Sequence, residues 1–292
     1  MSANTFSGAQ SAPFKSNPAL SGAKVTLPRV MRSEWRKFFS LRSTMILLMI
    51  AGGLMLLGSV GVMFLIGGPD TSGLGDMNML VINNVATGGL QIASLLFACA
   101  VIVLVAGEYG SHTAVSTFSA VPRRWPVYLS RMINMGVLAW VFGFVAHLVC
   151  GLLVMAVGSA SGYAVTFEMG DFLVNAAITG VYMLFMAWLG LGLSTILRST
   201  AGAIMVLVAI YYIIAGVLAL IGGFGNADWV IWLTKHLPLL ALSALRPMDE
   251  SMVGAGIESP FPPQGEAWIT LAVWVIIPLA FGWWSNQRRA VR

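Results

Sequence analysis

The sequence carries too little charge to face water over its whole surface. Only 9% of its residues are Asp, Glu, Lys or Arg, against roughly 25% in a soluble domain. Hydrophobic residues make up 58% of the chain, and the mean hydropathy is +0.85. This excludes a water-soluble globule for much of the chain and requires a lipid bilayer as solvent. Cysteine is nearly absent. Cys99 and Cys150 both fall within apolar stretches, so they read as small buried hydrophobes and exclude a disulfide framework. The Cys and His residues lack metal-site spacing. No Gly-x-x-x-x-Gly-Lys-Ser/Thr loop occurs, which excludes nucleotide hydrolysis through that loop. If ATP drives this chain, a separate subunit binds the ATP and its Mg. Neither a Gly-x-Ser-x-Gly elbow nor a Ser/His/Asp arrangement stands out, so the chain reads as a non-enzyme without its own cofactor.

Acidic residues are missing from the long apolar runs. A carboxylate at the bilayer centre costs roughly 2.5–3.5 kcal/mol, so one is kept there only for a task. Its absence argues against a proton- or sodium-driven carrier, which stands as the alternative reading. The one titratable group in the middle of a run is His147. It reads as an interhelical hydrogen-bonding group, as part of a substrate cavity or as a proton relay. Gln91, Asn134, Asn175 and Thr179 read as bonding between helices or facing a cavity.

What is present is a set of six apolar stretches, each of about the 20 residues that a spanning helix needs. They cover Thr44–Ile66, Gly88–Ala106, Met132–Val157, Phe172–Leu197, Ala201–Phe224 and Trp268–Trp284. Pro278 should kink the last of them. The expected fold is an all-α integral membrane protein, with one six-helix domain over residues 26–292. Residues 1–25 lack the 7–15-residue apolar core of a signal peptide and read as a disordered cytoplasmic tail. No internal repeat is visible, which argues against inverted-repeat transporters.

Basic residues set the direction of the spans. With the N-terminus in the cytoplasm, every Lys and Arg falls in an inner segment except Lys235 and Arg246. Every acid except Glu34 and Glu108 falls in an outer segment. Both termini are therefore expected to be cytoplasmic. The formal charge of +5 lies beside apolar spans, which points to anionic membrane lipid and away from nucleic acid.

Two connections are long: a cytoplasmic one over 107–131 and an external one over 225–267. The turn at Arg198-Ser199-Thr200 is minimal, so spans four and five form a tight hairpin. Ahead of the first span, Leu27, Met31, Trp35 and Phe38 recur at helical spacing among Arg29, Arg32, Arg36, Lys37 and Arg42. They predict an amphipathic helix in the cytoplasmic interface, started by Pro28, with its aromatic face in the acyl boundary and its basic face on phosphates. It reads either as a simple positive flank or as a connecting helix that braces the first span.

In the cytoplasmic connection, Thr113 is placed to cap a short helix that carries Val115, Phe118 and Val121 on one face and stops at Pro122. Glu108 reads as a headgroup-level carboxylate or as the partner of a nearby Arg that holds the loop's orientation. Arg123 and Arg124 read as topology charges or as basic flanks of the helix. Externally, Trp229, Trp232, Leu233, Leu237, Leu240 and Leu245 sit among Asp228, Lys235, His236 and Arg246. That stretch is too polar to span, and it is followed by a loop containing Pro260, Pro262 and Pro263. The external acids read as a solvated polar rim.

An acidic residue ending the second span (Glu108), a Thr-containing stretch (Thr113), then Pro122-Arg123-Arg124 before the third span resembles the permeases of the ATP-binding-cassette type-2 exporter family. The family's loop often has Gly where this chain has His112. The resemblance covers the whole chain in architecture: an elbow helix (Arg32, Trp35, Arg36, Phe38), six spans, and short external helices before the last span. It implies that Glu108, Tyr109, Thr113, Phe118, Pro122, Arg123 and Arg124 belong to a coupling loop that fits into an ATP-binding-cassette ATPase subunit. A second permease chain, identical or similar, would complete a twelve-helix exporter in the plasma (inner) membrane. His147 and Gln91 are the candidates for a substrate cavity. An apolar pathway favours hydrophobic or amphipathic cargo.

Overall fold

The computed structural model describes residues 26–66, 77–111, 125–224, 228–246 and 261–288. Six helices within them are long and apolar enough to cross a membrane, the build of a multi-pass membrane protein. Helix α1 (Leu27–Ser40) is followed after one residue by α2 (Arg42–Ile66). A short helix α3 (Met79–Ala86) leads through a turn at 87–89 into α4 (Leu90–Gly110). Then come α5 (Trp125–Ala160) and α6 (Met169–Leu197). Helix α7 comprises Thr200–Val208, a π-helical turn at Ala209–Ile213, and Ile214–Phe224. Short helices α8 (Asp228–Lys235) and α9 (Pro238–Ser243) precede α10 (Gln264–Arg288).

The spans follow from their composition: in a membrane a continuous apolar run satisfies its backbone only as a helix. At about 1.5 Å per residue, α5 is roughly 54 Å long and outruns a hydrocarbon layer of about 30 Å. Helix α6 is the hub, packing on α4, α5, α7 and α10. Burial separates centre from rim: 67% of the most apolar window of α4 is enclosed, against 17% of that of α2. In a bilayer the rim helices present side chains such as Phe64, Leu65 and Met205 to lipid.

Two close approaches need glycine. Helices α2 and α4 cross where Gly58 meets the 87–89 turn; a Cβ on Gly58 would stand 2.5 Å from the Gly89 Cα. Helix α10 runs on through Pro278. The proline packs on Gly192 of α6, where a Cβ would stand 2.6 Å from the Pro278 Cβ.

Local chemistry sets the ends. Asn78 caps α3 by accepting from the Val81 N–H at 3.0 Å. Ser199 caps α7 by accepting from the Gly202 N–H at 3.3 Å. Between α6 and α7 only Arg198 and Ser199 intervene, so the hairpin is as tight as expected. Arg198 takes the left-handed C-cap conformation (φ 50°) usually given to glycine. Its side chain is fastened: Nη2 donates to the Ser285 carbonyl at 3.2 Å, and the guanidinium lies 5.1 Å over the Tyr109 ring.

The apolar residues read as one face of α1 divide between two surroundings. The face that packs on the bundle is Val30, Glu34 and Phe38. Trp35 is exposed, its ring tilted against that of exposed Phe39 at 5.2 Å. A helix also begins earlier than expected before the last span: α10 starts at Gln264 and takes Glu266 into its first turn, where an acid favours the helix dipole. Helix α3 was not foreseen.

Candidate functional site

Three helices bring four charged side chains together at one end of the bundle. Glu34 lies on the packed face of α1, Glu108 in the last turn of α4, and Arg131 near the start of α5. Arg131 Nε donates to Glu34 Oε2 at 2.8 Å, and its Nη2 donates to Glu108 Oε2 at 2.5 Å. Lys37 Nζ closes the ring, donating to Glu34 Oε1 at 2.9 Å and to Glu108 Oε1 at 3.0 Å. Two carboxylates thus face two cations. Glu34 and Arg131 are only 2% and 3% exposed, so each depends on the other for the hydration it has lost. Burial alone would push the Glu34 carboxyl up; the adjacent Arg131 and Lys37 outweigh it and hold the group below its ordinary value.

Neutral bonds reinforce the ring. Asn134 Nδ2 of α5 donates to the Met31 carbonyl of α1 at 2.8 Å. The Tyr109 hydroxyl reaches Asn286 Oδ1 of α10 at 3.5 Å, beneath the Arg198 guanidinium already described. The Tyr128 hydroxyl donates to the Leu279 carbonyl at 2.9 Å. The segment 107–131 therefore leaves α4 and enters α5 from a base clamped to α1, α6 and α10.

Of the loop residues read from the sequence, Glu108 and Tyr109 are placed in this base. Thr113, Phe118, Pro122, Arg123 and Arg124, with the helix proposed around them, lie outside the described residues. Arg32 and Arg36 are exposed on α1, Phe38 is buried, and Trp35 is outward. Of the two readings of Glu108, pairing with a nearby Arg is the one observed, and that Arg is Arg131; Glu34 and Lys37 were missed as its companions. One signal was available: Glu34 sits four residues from both Val30 and Phe38, which puts a carboxylate on an apolar helix face.

The opposite end is built differently. His147 is fully buried. Its Nε2 is 3.1 Å from Asn83 Oδ1 of α3, and its Nδ1 is 3.0 Å from Thr179 Oγ1 of α6. Sixteen residues of α5 separate it from Arg131, about 24 Å of helix, so it stands towards the far end and not midway. Of the readings left open by the sequence, the interhelical hydrogen bond is the one observed. Gln91 is exposed at the start of α4 and is not joined to His147. Nearby, Arg246 Nη2 donates to Asn84 Oδ1 at 2.9 Å. Among the described residues no carboxylate lies within 4 Å of Arg246. Burial depresses its pKa, opposed by the nearby Tyr182 and Tyr211, whose hydroxyls bond each other. Trp274 Nε1 of α10 donates to the His236 carbonyl at 3.0 Å and fastens the α8–α9 segment to the last span.

A groove of about 350 Å³ runs between α2 and α5, lined by Gly52 and by apolar side chains including Leu56, Leu138, Phe142 and Val145. It has no charged lining residue. It offers a surface for hydrocarbon and no chemistry.

Comparison with known proteins finds no family model that matches this chain and no matching curated protein.

Proposed function

We propose that this chain is the membrane-spanning permease subunit of an ATP-binding-cassette type-2 exporter. In this reading α1 is the interfacial elbow and 107–131 is the cytoplasmic coupling loop. Segments α8 and α9 form the external closure, and both termini are cytoplasmic. The observation that carries the proposal is the ring of Glu34, Lys37, Glu108 and Arg131. It anchors both roots of the loop to three helices at once, so a push on the loop moves α4 and α5 with α1 as one body. A loop on a loose base would absorb such a push.

The energy arrives from outside. A separate ATPase subunit binds ATP and Mg; its closure displaces the loop, the clamped helix group tilts, and a cavity between two permease chains alternates its opening. The apolar α2–α5 groove and the uncharged spans suit hydrophobic or amphipathic cargo. The chain itself catalyses no reaction.

The test is reconstitution of the chain with its ATPase partner in liposomes. Glu108→Gln and the Arg123→Ala/Arg124→Ala pair are expected to uncouple ATP hydrolysis from export, with protein still folded and inserted. Export that persists in both variants, or export by the purified chain alone, overturns the reading. Collapse of the proton gradient and membrane potential should leave export intact; its loss would favour the ion-driven alternative.

A further inference from the structure

Helix α1 has three sectors at about 100° per residue. Val30, Glu34 and Phe38 face the bundle. Trp35 and Phe39 form an exposed aromatic pair. The rest is a stripe of Arg29, Arg32, Ser33, Arg36, Lys37 and Ser40, which lines an open cup of about 400 Å³. The only acid of α1, Glu34, is turned away from the stripe into the ion-pair ring. Among the described residues no carboxylate lies within 4 Å of Arg32 or Arg36.

We infer that this cup binds the headgroup of an anionic phospholipid, and that Lys37 passes its occupancy to the ion-pair ring. Guanidinium groups match a phosphodiester bidentately, and serine hydroxyls add donors. The neighbouring Trp35–Phe39 sector is suited to the acyl boundary. An acidic protein surface would leave that aromatic sector in water, so lipid is the better occupant. Lys37 belongs to both structures: it lines the cup, and it holds Glu34 and Glu108. A phosphate in the cup competes with the two carboxylates for one ammonium. Lipid charge is thereby linked to the seat of Glu108, and through it to the root of the 107–131 segment. The binding claim stands independently of the exporter reading.

The test uses the full purified chain in nanodiscs of phosphatidylcholine, with or without phosphatidylglycerol. Retained lipid is measured by native mass spectrometry. Phosphatidylglycerol is expected to be enriched over phosphatidylcholine on the order of tenfold. Arg32→Gln/Arg36→Gln should lose the enrichment, and Arg32→Lys/Arg36→Lys should keep most of it. Equal retention of the two lipids by the unaltered chain overturns the site. So does enrichment that survives the Gln pair. Competition of the bound lipid by millimolar inorganic phosphate or by an acidic peptide would assign the cup to those ligands and overturn the lipid assignment. Coupling is read by hydrogen exchange at Gly107–Ser111. Adding phosphatidylglycerol should speed exchange there in the unaltered chain and change nothing in Lys37→Gln. An unaltered chain whose exchange ignores the lipid overturns the coupling.

Discussion

The two ends of the bundle are held by different physics. At the end where α1 packs, helices are locked by a closed ring of opposite charges, two of them almost wholly buried. At the other end the bridging polar groups are neutral: Asn83, His147 and Thr179 join three helices, and a buried cation there, Arg246, donates to an amide. Charge pairing in a desolvated site is stiff, because losing one partner strands the other. Neutral hydrogen bonds between membrane helices contribute little each, since the separated helices find other partners. The contrast places rigidity at the base of the 107–131 segment and compliance at the far end. A lever needs that distribution.

The largest blow to this contrast is Arg131→Met, which removes one of the two cations that Glu34 and Glu108 share and leaves the ring with Lys37 alone. It should cost about 3–5 kcal/mol, read as a lowered thermal midpoint in detergent. Adding Glu34→Leu should restore much of the loss, because it removes a buried carboxylate left with half of its cationic partners. If the single variant is as stable as the parent, the ring does not hold this end.

Next in size is a steric test at the α2–α4 crossing. A Cβ on Gly89 would collide with the Leu54 carbonyl, whereas one on Gly53 meets nothing within 4 Å. Gly89→Ala should cost about 1–3 kcal/mol, and Gly53→Ala should be near neutral. Equal effects in thermal unfolding would show that the helices are not so closely crossed.

The far end should prove softer. His147→Phe is expected to cost about 0.6 kcal/mol and at most about 1.7. A loss as large as that of Arg131→Met would erase the distinction between the ends.

Acid should discriminate the ends most finely. The Glu34 carboxyl, facing Lys37 and Arg131 and sharing them with Glu108, titrates below its ordinary 4.5 in the folded chain. A depressed carboxylate contributes stability that is present above the unfolded pKa and lost as pH falls through the folded one. Unfolding scans between pH 7 and 3 should therefore show a decline beginning near 4.5, diminished in Glu34→Gln. An identical decline in both proteins would remove Glu34 from the account.

The spans were legible because the signal is local: some 20 apolar residues in a row specify a helix without knowledge of its neighbours. The same holds for the Arg198-Ser199 turn. The ring was not legible, because Glu34 and Arg131 are 97 residues apart and nothing in either neighbourhood names the other. On α1, spacing alone made Leu27, Met31, Trp35 and Phe38 one face. Tertiary packing takes Phe38 of that face into the bundle beside Glu34 and leaves Trp35 exposed. Helix α3 escaped notice because eight residues are too few for a period to declare itself. Gln91 and His147 were grouped by polarity within apolar runs, and the packing separates them.

The π-helical turn at Ala209–Ile213 has a consequence for engineering. Such a turn accommodates one residue beyond the α-helical count. Deleting Ile210 would allow α7 to regularise with the residues after it in about their present facing, because the wide turn already takes up the rotation of the extra residue. Ala215 and Leu218, which nest against Val230 and Leu237, would keep their seat on the α8–α9 segment. The same deletion in a regular stretch of α7 would swing its upper half by about 100° and cost that seat.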